Sequence, residues 1–477
     1  MALSDSQWRA WLAAEAKDPV VLIEAHYHDG SEKTAHWSDA GYIDPFDVDA
    51  PNYLPVIVSD VIVNESLSSS VLQDVEVQLY DASMLAWKFV GYDFHVWFGD
   101  RSWPRSDFVK QATEKTHNIA ISDARIIRFQ FADLGDIYFE QLVNGNGLGA
   151  AAGLPFVFGR PFNFKPARGG TSVRFQWFTP GVISSAAVVR DKGVPVAVAM
   201  NQLAFDGTGD GTYCGFDLVA APAGEVTVDL ATVTDFFGTP VPLNADLYSI
   251  LQAMNNYIQI PIPLSSSVSG WNDVDLSYVF YQYGTVRQML NELCDSLGLN
   301  SRINKAGELE LLRVDEIGEP TRLVVDGNLS SRLSLESIEP PYKQLELGWR
   351  RNWTVQGNDT IAGSVSGANA ALYLREYSYM KETRTLTGYP FVRNQKRETL
   401  IREETDASAE LDRRWLLRAD EHRTCSGAGD GSFIADKVGD TVTVMSSDYG
   451  FQDGVDVVIV SNNINLTKQS SKFMIWV

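Results

Sequence analysis

Cysteine is scarce in this chain: Cys214, Cys294 and Cys425 are its only three, far apart and without a Cys-x-x-Cys pair. So sparse and odd a set excludes a disulfide framework and a metal site built from this chain's thiolates alone, and it points to synthesis in a reducing cytoplasm. Basic residues are also few, with 39 Lys and Arg against 61 Asp and Glu and a formal charge of −22. Tight wrapping of nucleic acid needs the opposite sign, because affinity comes from neutralising phosphates. The same acidity suits a conduit whose wall must not hold passing DNA, and it also keeps a soluble protein monodisperse. No stretch approaches the ~20 apolar residues of a membrane helix. The first residues carry Asp5, Arg9 and Glu15 where a signal peptide needs a basic start and an apolar run. The expectation is a chain that folds in the cytosol and inserts nothing into a membrane.

What is present is ample for real cores. The 477 residues are 45% hydrophobic and 21% charged, which at roughly 100–200 residues per domain suggests about three or four domains. Most of the chain reads as period-two strands between Gly, Asn and Asp turns. Residues 20–28, 56–63, 75–79, 97–100 and 126–131 are candidate strands of a β-rich first domain over 1–135. A second β-rich module spans 136–238, with a Gly- and Asn-rich break at 144–149 ahead of its strands. From about 240 the period changes to 3.6. Asn244 is placed to cap a helix carrying Leu247, Ile250, Leu251 and Met254. Thr285 and Gln288 form a capping box before a stripe of Val286, Met289, Leu290, Leu293 and Leu297, and Gly298 ends it. A hairpin through Lys305-Ala306-Gly307 to Val314 completes an α/β module over 239–335. Residues 336–477 return to strands, among them 372–379, 438–444, 455–460 and 473–477, with one helix over 406–418 on Ala407, Leu411 and Trp415. The fold class expected is mainly β with an α/β insertion: several domains, tube-like barrels or sandwiches, and a small helix–hairpin module.

Patterns that mimic chemistry dissolve on inspection. His26 and His28 sit two apart on one strand face, a spacing that chelates metals, with His36 a possible third ligand; a pair of surface histidines before a turn explains them as well. Asp206, Thr208, Asp210, Gly211 and Asp217 occupy positions of a calcium loop. However, the last position is Asp rather than Glu, and strand-like sequence flanks the loop where helices are required. Gly145, Gly147 and Ala150 match a dinucleotide fingerprint, but Gly153-Leu154-Pro155 follows where a helix should start. Gly363-Ser-Val-Ser-Gly367 has Val365 where a nucleophile belongs. The expected catalytic, cofactor and metal residues are therefore none, and the chain is expected not to be an enzyme.

Several segments carry a resemblance. Pro155, Gly159, Asn163 and Pro166 form a P-x-x-x-G-x-x-x-N-x-x-P run. Val188-Val-Arg-Asp-Lys-Gly-Val-Pro-Val196 is a strand–Asp-x-Gly–strand hairpin, and Ala221-Pro-Ala-Gly-Glu-Val-Thr-Val-Asp229 follows it. The helix–hairpin of 285–314, Arg351-Asn-Trp-Thr-Val355, Val438-Gly-Asp-Thr-Val442 and the terminal strand come next in order. Together, over about 150–477, they resemble the hub proteins (distal tail or baseplate hub) of long-tailed bacteriophages and gene transfer agents. The resemblance implies a structural virion protein of the tail tip or baseplate. It implies a homotrimer whose two tube-like domains per subunit adapt a sixfold tube to a threefold tip and line a DNA ejection channel. The implied partners are the tail tube or distal tail protein, tip or fibre proteins and the tape measure protein, with DNA passing but not stably bound. The alternative reading is a carbohydrate-binding or depolymerising tail protein. The charge alone makes a prediction: in a low-salt gel shift the protein should leave duplex DNA unretarded, and micromolar retardation that weakens steeply with salt would contradict the expectation.

Overall fold

The computed structural model describes residues 3–122, 125–143, 154–169, 171–179, 187–204, 212–230, 246–281, 284–314, 317–389 and 394–477. The chain is mainly β with few helices, and it divides into two compact units. One comprises residues 1–137, 300–339 and 421–477, and the other 138–299 and 340–420.

In the first unit, Pro19–His28 pairs with Glu32–Ser38 on one side and Asp93–Asp100 on the other, and the sheet continues through Val109–Ile121, Ile126–Ala132 and Val75–Gln78. Its two edges meet. Leu54–Pro55 lies beside Glu32–Ser38, and a few residues on the Val58 N–H donates to Glu76 O (2.9 Å) while Gln78 N–H donates to Val56 O (2.7 Å). The sheet thus curls over a core of Trp37, Phe89, Phe94, Phe98 and Phe129, all buried. The apolar run at 56–63 is not one strand. It breaks at Ser59 and Asp60, and Ile62–Ser66 leaves to pair with Val455–Asn465 in another sheet. Asp5–Ala13 is a helix that apolar periodicity did not reveal, since only Trp8 and Leu12 are buried; Ser4 and Gln7 close a capping box at its start.

The other large sheet of this unit runs Leu323–Val325, Thr441–Met445, Val455–Asn465, Ser470–Trp476, His422–Gly429 and Ser334–Glu339. The long Val455–Asn465 strand pairs with Thr441–Met445 along its first half and with Ile62–Ser66 along its second. Its register against Ser470–Trp476 shifts between Ile459 and Ser461, where the extra residue re-aims the strand. The fully buried Asp436 carboxylate accepts from Arg9 Nη1 (2.6 Å) and Arg322 Nη2 (2.6 Å), joining three distant segments.

The second unit holds a sheet ordered Val198–Ala204, Thr212–Leu218, Arg174–Thr179, Phe156–Gly159 and Ser277–Phe280, with Ala167–Arg168 beside Arg174–Thr179. A smaller sheet orders Val194–Pro195, Ala187–Asp191 and Val226–Leu230, and a third orders Ser378–Thr383, Gln344–Trp349 and Asn394–Glu398. The strands flanking the 221–224 turn therefore belong to different sheets. Leu247–Asn255 is helical with Leu247, Ile250, Leu251 and Met254 buried. Its cap is Asp246, which accepts from Ser249 N–H (2.7 Å), while Asn244 lies outside the described residues. Val286–Leu297 buries the whole expected stripe. Only half of its capping box forms: Thr285 Oγ1 accepts from Gln288 N–H (3.2 Å), but the Gln288 amide turns to Glu292. Gly298 ends the helix at φ +67°, left-handed backbone that favours glycine. The hairpin that follows, Asn300–Ile303 with Leu309–Leu312, belongs to the first unit. The expected strand at 372–379 is a correction: Gly367–Leu374 is helical and the strand is Ser378–Thr383. Glu404–Leu417 is the expected late helix, with Ala407 and Leu411 buried and Trp415 only half-buried, the Arg384 guanidinium 3.7 Å from its ring.

Two measurements test these cores. Leu293 is fully buried, so Leu293→Ala should lower unfolding free energy by about 2–5 kcal/mol in urea titrations, and Leu293→Asp should yield insoluble protein. Burial pushes the Glu114 carboxyl up to about 8, against a single hydrogen bond from Leu72 N–H (3.1 Å). A raised carboxyl binds its proton more tightly in the folded state. Its stabilising contribution is complete below the unfolded value of about 4.3 and is lost as pH rises through about 8. Glu114→Gln should flatten the decline in stability across that interval.

Candidate functional site

The second unit is organised around a buried pair of asparagines. After the Phe156–Gly159 strand the chain turns at Asn163, which adopts φ +53° and is fully buried. Asparagine tolerates this left-handed backbone better than most residues with a Cβ. Asn163 Nδ2 donates to Asn352 Oδ1 (2.9 Å) and to Thr354 O (2.8 Å), and its N–H donates to Asp229 Oδ1 (2.7 Å). Asn352 is itself buried; its Nδ2 donates to Tyr373 O (2.9 Å) and Arg375 O (3.0 Å), and its Oδ1 also accepts from Thr354 N–H (3.1 Å). Asp229 Oδ2 lies 2.6 Å from Arg190 Nη1. One residue beyond Arg190, the Asp191 carboxylate accepts from Ala223 N–H (2.6 Å) and Gly224 N–H (2.9 Å), holding the 221–224 turn against the hairpin. The run at 155–166, the hairpin at 188–196, the 221–229 segment and Arg351–Val355 thus meet at one polar junction.

A groove of about 620 Å³ opens beside Asn352, walled by Tyr278, Phe280, Tyr281, Trp353 and Val355. Arg351 lies across it, 3.4 Å from Glu292 and 3.5 Å from Glu376, with its guanidinium 4.3 Å from the Trp353 ring. Burial, with Glu292 close by, pushes the Tyr278 hydroxyl well above the ordinary phenol range, so it stays protonated. The cation is balanced by its two carboxylates, and the walls suit an apolar or planar group. The aromatic strand Ser277–Phe280 escaped the sequence reading, although Leu276, Tyr278 and Phe280 alternate with Ser277 and Val279. All five of these residues are buried, so alternation there does not mark a solvent face.

The residues singled out in sequence lie elsewhere. His26 and His28 are half-buried on one face of Pro19–His28. The His26 ring packs edge-on to His95 (5.4 Å), and His36 packs against Tyr53 (5.1 Å). Among the described residues, no group of three or more His, Cys, Asp or Glu side chains is arranged to hold a metal ion. Of the calcium-like loop, Asp206, Thr208, Asp210 and Gly211 lie outside the described residues, and Asp217 accepts from Arg174 Nε (2.9 Å) and Nη2 (3.0 Å). Gly145, Gly147 and Ala150 also lie outside them. Gly363–Gly367 is the approach to the Gly367–Leu374 helix.

No family model matches the chain, and no curated protein does. Among solved structures it is similar to the tail protein from Neisseria meningitidis MC58, with 9% identity, 96% of this chain and 97% of that one covered, and a TM-score of 0.38. It is similar to the 43 kDa tail protein of prophage MuSo2 from Shewanella oneidensis, with 9% identity, coverage of 96% and 98%, and a TM-score of 0.41. A chain of the virion of a native gene transfer agent particle is 12% identical over 68% of this chain and 84% of its own, with a TM-score of 0.45.

The junction predicts its own sensitivity. Asn352→Ala removes the bond to Asn163 and those to the Tyr373 and Arg375 carbonyls, leaving Asn163 its bond to Thr354 O and Tyr373 O its bond from Gln356 N–H (3.0 Å), and should destabilise by about 1–3 kcal/mol in denaturant titrations. In a double-mutant cycle with Asn163→Ala the two losses should be strongly non-additive.

Proposed function

We propose that this chain is a structural, non-enzymatic virion protein: a tail hub subunit that closes the distal end of a phage-type tail tube. The observation that carries this reading is the convergence at Asn163 and Asn352. Segments whose order in the sequence resembles the hub family lie up to about 190 residues apart, yet they hydrogen-bond to one another at a single junction. Unrelated short matches would have no reason to meet in space. The curled sheet of the first unit supports the same reading, since a tube-like domain needs a sheet whose edges are used up rather than left to aggregate.

In this role the chain forms a homotrimer by cyclic closure and adapts a sixfold tube to a threefold tip. It engages the tail tube or distal tail protein on one side and tip or fibre proteins on the other, with the tape measure protein inside. The excess of 22 negative charges keeps passing DNA unbound in the ejection channel. Light scattering of the isolated protein, together with electron microscopy of the particle, tests the proposal. Threefold density at the distal tail end is expected, and a stable monomer with no place in any tail overturns it.

A second reading has one observation in its favour: Glu292 and Glu376 flank an aromatic groove, the combination that saccharide-binding or glycoside-cleaving sites use. Incubation with host polysaccharide should release nothing under the hub proposal. Release that disappears in Glu292→Gln or Glu376→Gln would replace the hub with a depolymerase.

A further inference from the structure

The groove beside Asn352 holds one carboxylate more than its own cation answers. Four rings, Tyr278, Phe280, Tyr281 and Trp353, line it, and its charged groups are Glu292, Glu376 and Arg351. Glu292 is engaged on both oxygens: Oε2 accepts from Arg351 Nη1 (3.4 Å), Oε1 accepts from Gln288 Nε2 (3.3 Å), and the Tyr278 hydroxyl donates to it as well. Glu376 is held far less. Among the described residues its one ion-pair partner is Arg351, 3.5 Å away, and its side chain is 52% exposed.

Other cations of this unit are already taken. Lys165 pairs with Glu225 (2.8 Å), Lys396 with Glu398 (3.1 Å) and Arg287 with Glu140 (2.5 Å), while Arg375, next to Glu376, turns its Nη2 to Ser378 Oγ (3.0 Å). Two carboxylates against one guanidinium leave the groove a single negative charge. Two of its apolar residues are also open to solvent, Tyr281 at 39% and Val355 at 50%. A carboxylate among aromatic rings is where an incoming cation gains an ion pair and a π contact together. The groove shows this chemistry with its own Arg351, whose guanidinium lies 4.3 Å from the Trp353 ring. A planar guanidinium fits such walls better than the compact, strongly hydrated ammonium of lysine. The chain's charge of −22 steers basic surfaces toward it.

We infer that this groove docks an arginine side chain of a partner protein, its guanidinium paired to Glu376 and stacked on the aromatic wall. The inference rests on the tail reading, in which neighbouring proteins must be held, and it names the chemistry that grips one of them.

The probe is N-acetylarginine amide, titrated against the full chain by saturation-transfer NMR, with its lysine and citrulline counterparts as further arms. Citrulline keeps the shape of arginine and lacks its charge. Saturable binding is expected, strongest for arginine and weakest for citrulline. Glu376→Gln, at an exposed position, should weaken arginine binding by about tenfold or more. Arg351→Gln frees both carboxylates and should tighten it, the opposite of what a loss of structure would do. Absence of binding, citrulline binding as well as arginine, or an affinity unmoved by Glu376→Gln overturns the inference. Maltotriose bound in place of arginine, and weakened by the same substitution, also overturns it and gives the groove to a saccharide. Threefold density at the tail end without arginine binding defeats this inference alone, whereas arginine binding by a stable monomer absent from every tail defeats the hub reading alone.

Discussion

The second unit depends on the burial of two amides. Asn163 and Asn352 are 189 residues apart in sequence and share a hydrogen bond from which water is excluded. A buried amide left without partners costs about 1–3 kcal/mol, so burial of this pair is tolerable only if the surrounding backbone supplies acceptors and donors in fixed places. It supplies most of them: Thr354, Tyr373 and Arg375 provide backbone groups and Asp229 takes the Asn163 N–H, while Asn163 Oδ1 is buried without a donor among the described residues. The positive φ of Asn163 is the local strain that this network holds in place.

The same constraint explains why residues 367–374 form a helix where a strand was expected. The last carbonyls of a helix have no partner within it. Here Asn352 Nδ2 donates to Leu372 O (3.2 Å) and Tyr373 O (2.9 Å), and Gln356 N–H donates to Tyr373 O as well (3.0 Å), so the end of the short helix is held from outside it. The groove beside the junction inherits its shape from this arrangement, because Asn352 and Trp353 are adjacent. Phe162, immediately before Asn163, stacks its ring on Tyr373.

The first unit answers a different requirement, that edge strands be used up. Residues 54–58 join the two edges of one sheet, and the shifted register at Ile459 and Ser461 lets a single long strand serve two neighbours in the other. Asp436 binds the N-terminal helix and the segment at Arg322 to the C-terminal third of the chain. The chain passes between the units at 137/138, 299/300, 339/340 and 420/421. The helix Val286–Leu297 and the hairpin after it, contiguous in sequence and joined by Gly298, therefore serve different cores.

Local signals were legible because their physics is local. The helix stripe at Val286–Leu297, the stop at Gly298, the turn at 305–307, the strands Pro19–His28 and Val75–Gln78 and the overall β content all rest on contacts within a few residues. By itself the sequence also determined the acidity, and with it the expectation that the chain is not a tight nucleic-acid binder. Several site residues lay within segments already picked out, Asn163 and Asn352 among them, but nothing in either segment told which would meet. Tertiary structure alone decided that pairing, the departure of Ile62–Ser66 to the other sheet, the helix at Gly367–Leu374 and the buried strand Ser277–Phe280. Each depends on partners tens to hundreds of residues away, and a hydrogen bond across such a distance leaves no period in the sequence, only two polar residues that become costly unless the fold brings them together.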